Sequence, residues 1–453
     1  MNYGDFWSKA LFPFYERLRG RPTPAIQAVL AQSQFFSADE LARRQRADLR
    51  LLLEHAKAST PFYGQWFAQT GQSPEQIAES GDLSALPLVD KAMLMAHPDH
   101  FRAAPAPPGS YQKRTGGSTG RPLVFAMDPG SDHWRTAVYR RGYGWAGCRE
   151  GDRQLYLWGG DVAPVSTVYR LRREAFRRLA RMRFHSSFGL GPDQLDAVLA
   201  DIDRFKPLCV VGYTSALDAL ARHAAARGWR PKRPPRSVIS GAEALRPQER
   251  QRIERALAAP VFETYGCREF MLIAAQCPER RGLHVSAENL VVEVLAEGRP
   301  ARPGELGEVV VTDLHNFAQP FIRYKTGDLA RPAAGPCPCG RGLPLLEGIE
   351  GRILDMIRAP GGRLLPGEFF PHLLKNFDAI AEFQARQDSP EHLFIDVVLR
   401  QELSQTDRQL IQRALAAAAP GLAAEIRPVE AIAPTPAGKR RVTIGLPPQG
   451  DRP

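Results

Sequence analysis

Between residues 154 and 266 short apolar runs alternate with helix-patterned stretches, and this alternation limits the fold more than any other feature of the chain. The apolar runs occupy 154–158, 207–212, 236–241 and 261–266. Helical spacing marks 169–183, 193–204, a segment running to 226, and 247–258. Short apolar strands separated by helices predict an α/β domain with largely parallel strands. Ligands of such sheets collect at the carboxyl ends of the strands. Tyr213, Ser240-Gly241 and Tyr265-Gly266 fall at such ends.

A second feature suggests what kind of ligand. Thr115-Gly116-Gly117-Ser118-Thr119-Gly120-Arg121 lies between extended runs at 111–113 and 123–126. Glycine lets the backbone approach a ligand closely. Successive N–H groups in such a turn form an anion-binding concavity, and the hydroxyls add donors. The Gly-Lys-Ser/Thr ending of the common phosphate loop is missing, so the residues alone leave a phosphate loop and a polar hairpin turn both open. Net charge is +11, from 60 Lys+Arg against 49 Asp+Glu, which suits anionic partners such as nucleotides, acidic carrier proteins or acidic lipid heads. The positive charge has no companion recognition motif, which argues against nucleic acid.

Three further stretches carry chemistry. Tyr265-Gly266-Cys267-Arg268-Glu269 combines an aromatic that can stack on a base with a carboxylate that can hold a metal ion. Tyr324-Lys325-Thr326-Gly327-Asp328 ends a strand with an acid able to accept ribose hydroxyls. Residues 434–439 form a glycine- and proline-rich turn carrying Lys439. In this order and at these distances, the stretches resemble the adenylate-forming (AMP-binding) enzyme superfamily. Ser59-Thr60-Pro61-Phe62-Tyr63, Leu86-Pro87-Leu88 and Cys337-Pro338-Cys339-Gly340-Arg341 make the chain look like the phenylacetate–CoA ligase branch and its capsule-biosynthesis relatives.

The resemblance implies a large N-terminal adenylation domain over 1–351, with mixed and parallel sheets, and a small mobile α+β domain over 352–453. It implies that ATP and Mg²⁺ activate a small carboxylic acid as an acyl-adenylate, which a thiol, coenzyme A, then takes up. Carried over by motif, Thr115, Gly116, Gly117, Ser118, Thr119 and Gly120 line the ATP phosphates. Ser240, Gly241, Ala242, Glu243, Thr264, Tyr265 and Gly266 border the adenine and acyl pockets. Glu269 holds Mg²⁺, Asp328 binds the ribose, and Arg352 sits near the ribose or phosphates. Lys439 bridges carboxylate and α-phosphate, where a cation must offset their repulsion. The chain departs from the family at Arg121, where lysine is usual, at Leu354, where the hinge usually carries an acid, and across 359–363. These departures lean toward the capsule relatives. They leave open the acid and the acceptor, which is coenzyme A, a carrier protein or another nucleophile. A non-catalytic scaffold is the remaining alternative, against which Glu269, Asp328 and Lys439 argue.

The chain has six cysteines. Cys277, His284, Cys337 and Cys339 provide a three-Cys, one-His donor set of the kind that holds structural Zn²⁺, and some members of the branch carry a zinc at what looks like this place. Cys148, Cys209 and Cys267 read as unpaired. Few cysteines, no long apolar run and no secretory layout at the start lead to the expectation of a cytoplasmic protein without a transmembrane segment. Homodimerisation stays open. The arginine-rich segment 169–183 carries Leu171, Ala175, Phe176, Leu179 and Met182 on one side. Such a helix is usually a solvated surface, and acidic lipid or an acidic carrier is the alternative. In the C-terminal piece, short strands are expected at 353–358, 363–365, 383–387, 393–399, 425–428 and 441–444, with helices at 366–376 and 404–417.

Overall fold

The structure is a computed structural model describing residues 3–115, 123–159, 166–350, 357–365, 367, 369–374, 376–432 and 442–446. The chain divides into two compact units. The first comprises 1–113, 123–150 and 262–351, and the second comprises 114–122, 151–261 and 352–453.

In the second unit, Ser237–Gly241, Cys209–Tyr213, Gln154–Trp158 and Met182–Ser186 lie side by side in that order, all parallel. Cys209–Tyr213 and Ser237–Gly241 are buried throughout, as strands covered on both faces must be. The helices Pro192–Phe205, Thr214–Ala226 and Pro247–Leu257 send Leu195, Val198, Leu217, Leu220 and Ile253 into this core. The alternation read from sequence holds here, with one correction. The arginine-rich helix spans Thr167–Leu179 and then stops, and Met182–Ser186 is an edge strand. Arg181, with φ 58, makes the turn, so Arg181 and Arg183 lie outside the helix.

The rest of the second unit is the C-terminal piece. Strands Ile380–Ser389 and His392–Leu399 pair antiparallel, and Ala423–Pro428 and Thr443–Ile444 each add in parallel. Ile357–Ala359 and Arg363–Leu365 make the expected hairpin. Phe369, Phe370, Phe383, Ile395, Ile411 and Leu415 form a core of their own. Ser404 caps the helix Gln405–Ala418 by accepting from the Asp407 N–H at 3.1 Å.

The first unit holds the antiparallel strands, and the expectation of largely parallel pairing does not extend to it. Strands Val261–Tyr265, Ala274–Gln276, Leu283–Val285, Leu345–Glu350, Tyr324–Pro332, Gly307–Asp313 and Leu290–Ala296 pair successively in that order, all antiparallel. The helix Ala38–Ser59, started by a Ser37–Glu40 capping box, buries Leu49, Leu52 and Leu53 against Phe270, Leu314 and Phe321. Val89 bridges in parallel to Tyr324: its N–H donates to the Arg323 carbonyl at 3.0 Å, and it accepts from Lys325 N–H at 2.8 Å. Arg135 and Asp313, both fully buried, form an ion pair at 2.8 Å. Two strands, Tyr111–Arg114 and Val124–Met127, flank the glycine-rich loop as the sequence predicts.

Candidate functional site

The acid of residues 324–328 sits on a bulge. Val310 pairs with Lys325 and Glu308 with Leu329, so three residues of one strand oppose Val309 alone. Gly327 takes φ 77 there, a value that favours glycine. The Thr326 hydroxyl donates to the Val309 carbonyl at 3.0 Å and accepts from the Asp328 N–H at 3.2 Å. These bonds fix the half-buried Asp328 carboxylate. One of its oxygens accepts from the Tyr265 hydroxyl at 3.0 Å. Burial, reinforced by the Asp328 charge, holds the Tyr265 hydroxyl in its protonated, donating form.

Glu269 belongs to the same neighbourhood. Past Tyr265 the chain turns so tightly that a Cβ on Gly266 would lie 1.8 Å from the Met271 carbonyl oxygen, so only glycine fits. The turn is closed by Met271 N–H donating to the Cys267 carbonyl at 2.7 Å. Glu269 is buried, and its carboxylate accepts from the Tyr324 hydroxyl at 3.4 Å. Tyr324 and Asp328 lie on the one strand Tyr324–Pro332, so a single strand carries one acid and the hydroxyl partner of the other. Burial and the Glu269 charge push the Cys267 thiol well up, leaving it protonated. Thr264, half-buried, precedes Tyr265 on the strand Val261–Tyr265.

In the second unit Ser240, Gly241, Ala242 and Glu243 end a parallel strand, as expected. Ser240 is fully buried, with its hydroxyl 2.7 Å from that of Thr214. Ala242 takes φ 66. The Glu243 carboxylate accepts from the Ser215 N–H at 2.6 Å and from its hydroxyl at 2.9 Å. It therefore satisfies an orphan N–H in the first turn of the helix Thr214–Ala226. Burial raises its pKa, with the Ser215 bonds working against the rise. Trp158 and Tyr213 pack with ring centroids 4.4 Å apart beside Gly159, whose absent Cβ would lie 2.9 Å from the Tyr213 hydroxyl. Thr115 is buried. Gly116, Gly117, Ser118, Thr119, Gly120, Arg352 and Lys439 lie outside the described residues.

The cysteine–histidine set does come together. Cys277 follows the strand Ala274–Gln276, and His284 lies on its hairpin partner Leu283–Val285. His284 also pairs with Leu345, which brings in the turn bearing Cys337 and Cys339. The four ligand atoms all lie within 4.8 Å of one another. Cys277 Sγ is 3.7 Å from Cys337 Sγ, and Cys339 Sγ is 3.3 Å from His284 Nε2. With Zn–S bonds of about 2.3 Å, a tetrahedral edge is about 3.8 Å. The spacing fits one ion and is far too long for a disulfide. Burial pushes the Cys277 thiol up to about 12 and holds His284 down to about 4, so its imidazole is neutral as a ligand must be. None of the six cysteines forms a disulfide.

No role was read from sequence for Tyr324 and Ser215, which bond the Glu269 and Glu243 carboxylates, or for Thr326, which accepts from the Asp328 N–H, and Thr214, which bonds the Ser240 hydroxyl. The only sequence signal for them is a hydroxyl one or two positions from a strand end.

The fold and the candidate site are of the kind that AMP-binding enzymes have, and the family described as AMP-binding enzyme matches residues 155–318. Over most of its length the chain is similar to phenylacetate–CoA ligases and to Protein CapK. Phenylacetate-coenzyme A ligase of Pseudomonas putida is 28% identical over 360 residues, covering 78% of this chain and 79% of the relative. The Escherichia coli enzyme of the same name is 26% identical, covering 79% and 81%. Protein CapK of Staphylococcus aureus is 21% identical, covering 64% and 63%. A crystal structure of 2-hydroxyisobutyryl-CoA ligase with 2-HIB-AMP and CoA superposes with a TM-score of 0.56 at 22% identity, covering 90% of this chain and 92% of that one. That likeness establishes the adenylate-forming fold. No helix among the described residues is long and apolar enough to cross a membrane.

Proposed function

We propose that the chain is an AMP-forming acid–thiol ligase. A carboxylate oxygen attacks the α-phosphorus of ATP and pyrophosphate leaves. The thiol sulfur of coenzyme A then attacks the acyl carbon of the acyl-adenylate and AMP leaves. The observation that carries this reading is the Tyr265–Asp328–Thr326 arrangement beside Glu269. A scaffold has no use for a glycine bulge that fixes one acid next to a second, buried one. The half-buried Asp328 carboxylate, held by the Tyr265 hydroxyl at 3.0 Å, is an acceptor suited to ribose hydroxyls. Glu269 offers Mg²⁺ a hard oxygen donor, and the ion typically keeps waters and phosphates as its remaining ligands. The resemblance to the phenylacetate–CoA ligases supports the acceptor thiol. By the same resemblance, Thr115–Gly120 cradle the phosphates, Arg352 lies at the start of a small C-terminal domain beginning at 352, and that domain supplies Lys439.

Zn²⁺ held by Cys277, His284, Cys337 and Cys339 would be structural, because four protein ligands leave no open coordination position. The test of the function is pyrophosphate release against a panel of carboxylic acids, with and without coenzyme A. Acid-dependent release, and a thioester only when coenzyme A is present, is the expected result. Lys439→Ala should lower release about 10²–10³-fold. A chain that releases pyrophosphate with no acid of a broad panel would refute the proposal.

A further inference from the structure

The helix Thr167–Leu179 is amphipathic in the wrong sense for a surface helix. Helices on a globular core turn their apolar side inward. Here the half-buried positions are Arg173 and Arg177. Arg177 lies 3.8 Å over the ring of Phe184 on the edge strand, and Arg173 lies 5.5 Å over Tyr169. None of the helix's residues is fully buried. The large apolar side chains point outward: Val168 is 60% exposed, Leu171 64%, Leu179 58% and Tyr169 55%. At about 100° per residue, these four and Phe176 fill one arc of about 160°. Arg172 stands inside that arc, and Arg173 and Arg178 rim it. Seven arginines between 170 and 183 face a single acid, Glu174, which is paired with Arg178 at 3.5 Å.

From this we infer that the helix Thr167–Leu179 is an interfacial anchor that lays its apolar arc into an anionic lipid surface. The size of the face separates a membrane from a protein partner. A helix of 13 residues is about 20 Å long, and one face of it about 10 Å wide, or about 200 Å². A stable protein interface needs about 800 Å² from each partner. A bilayer needs no matching partner area: it takes up a single convex helix through apolar insertion plus attraction of rim cations to anionic headgroups. Arginine stems reach sideways from the rim to the headgroups while the apolar tips go deeper. The inference is independent of the ligase reading, since it uses none of the residues assigned to that chemistry.

Co-sedimentation of the full chain tests it, with vesicles of phosphatidylcholine alone and of phosphatidylcholine containing phosphatidylglycerol. The chain should bind the anionic vesicles, leave the neutral ones, and be released by salt. L171S/L179S and R172E/R178E should each weaken binding about tenfold or more, with unchanged thermal melting because all four positions are exposed. Should a variant melt early, Leu171→Trp gives a second reading: its emission should shift to the blue with anionic vesicles and not with neutral ones. Three results overturn the inference. They are no binding to anionic vesicles at low salt, variants that bind like the parent, or a self-association that L171S/L179S abolishes, which would make the face an interface between copies.

Discussion

Replacing Asp328 by alanine should have two effects that separate assays can read. The first is on ATP. A carboxylate accepting from a ribose is a charged acceptor worth about 1.5–3 kcal/mol. At 1.4 kcal/mol per factor of ten, its loss weakens ATP binding about 10–150-fold. The second is on stability. Asp328 accepts from the buried Tyr265 hydroxyl at 3.0 Å, and the other hydroxyl near it, that of Thr326, is at 3.4 Å. Leaving that donor poorly satisfied costs about 1–3 kcal/mol. Tyr265→Phe removes the hydroxyl and leaves the carboxylate, so it should keep ATP affinity within a few-fold. Calorimetric titration of both variants with ATP, beside urea melts, reads the two effects separately. Unaltered ATP affinity in Asp328→Ala would refute the ribose assignment. A loss in Tyr265→Phe as large as in Asp328→Ala would mean that the hydroxyl, not the acid, contacts the nucleotide.

Other expectations concern metal, charge and pH. Protein prepared without a metal-binding tag should contain about one zinc per chain by elemental analysis, and Cys339→Ser should lower metal content and melting temperature together. Asp313→Ala strands the fully buried Arg135, which should cost about 3–5 kcal/mol in urea unfolding. Burial, then the Arg135 charge, lowers Lys113 to about 8 against the pull of Asp132 at 3.6 Å. Between about pH 8 and 10.5 the unfolded chain therefore binds more protons at this site than the folded one, and stability from it rises with pH. Lys113→Met should accordingly stabilise the protein by about 1–3 kcal/mol at pH 7, with the gain shrinking as pH climbs through that window. A gain independent of pH would disprove the assignment.

The parallel strands and their helices were readable in advance because burial on both faces writes itself as apolar runs between helical periods. The antiparallel strands 274–350 were not, since short strands such as Leu283–Val285 have no period to detect. The arginine-rich segment misled for a related reason: Met182 continues the helical spacing of Leu171, Ala175 and Leu179, and only Arg181 in the left-handed region reveals the turn. Among candidate residues, Asp328, Glu269 and the cysteine–histidine set could be singled out from sequence because acids and thiols near strand ends stand out, and the structure brings the cysteine–histidine set together. The hydroxyls of Thr326, Tyr324 and Ser215 did not stand out. Their importance lies in which acid they touch, and that depends on register and on a bulge.

The hydrogen bond from Val89 N–H to the Arg323 carbonyl also matters during synthesis. The two residues are 234 positions apart (323 − 89). At ribosomal speeds of about 5–20 residues per second, Val89 waits about 10–50 s for its partner to emerge. Through that interval Leu49, Leu52 and Leu53 also lack Leu314 and Phe321, the later side chains that will cover them. The first unit therefore cannot close while it is being made, because its last segment follows the whole of 151–261. A nascent chain in this state is a natural client for holdase chaperones, and splitting the gene near residue 150 would yield a fragment with no finished core.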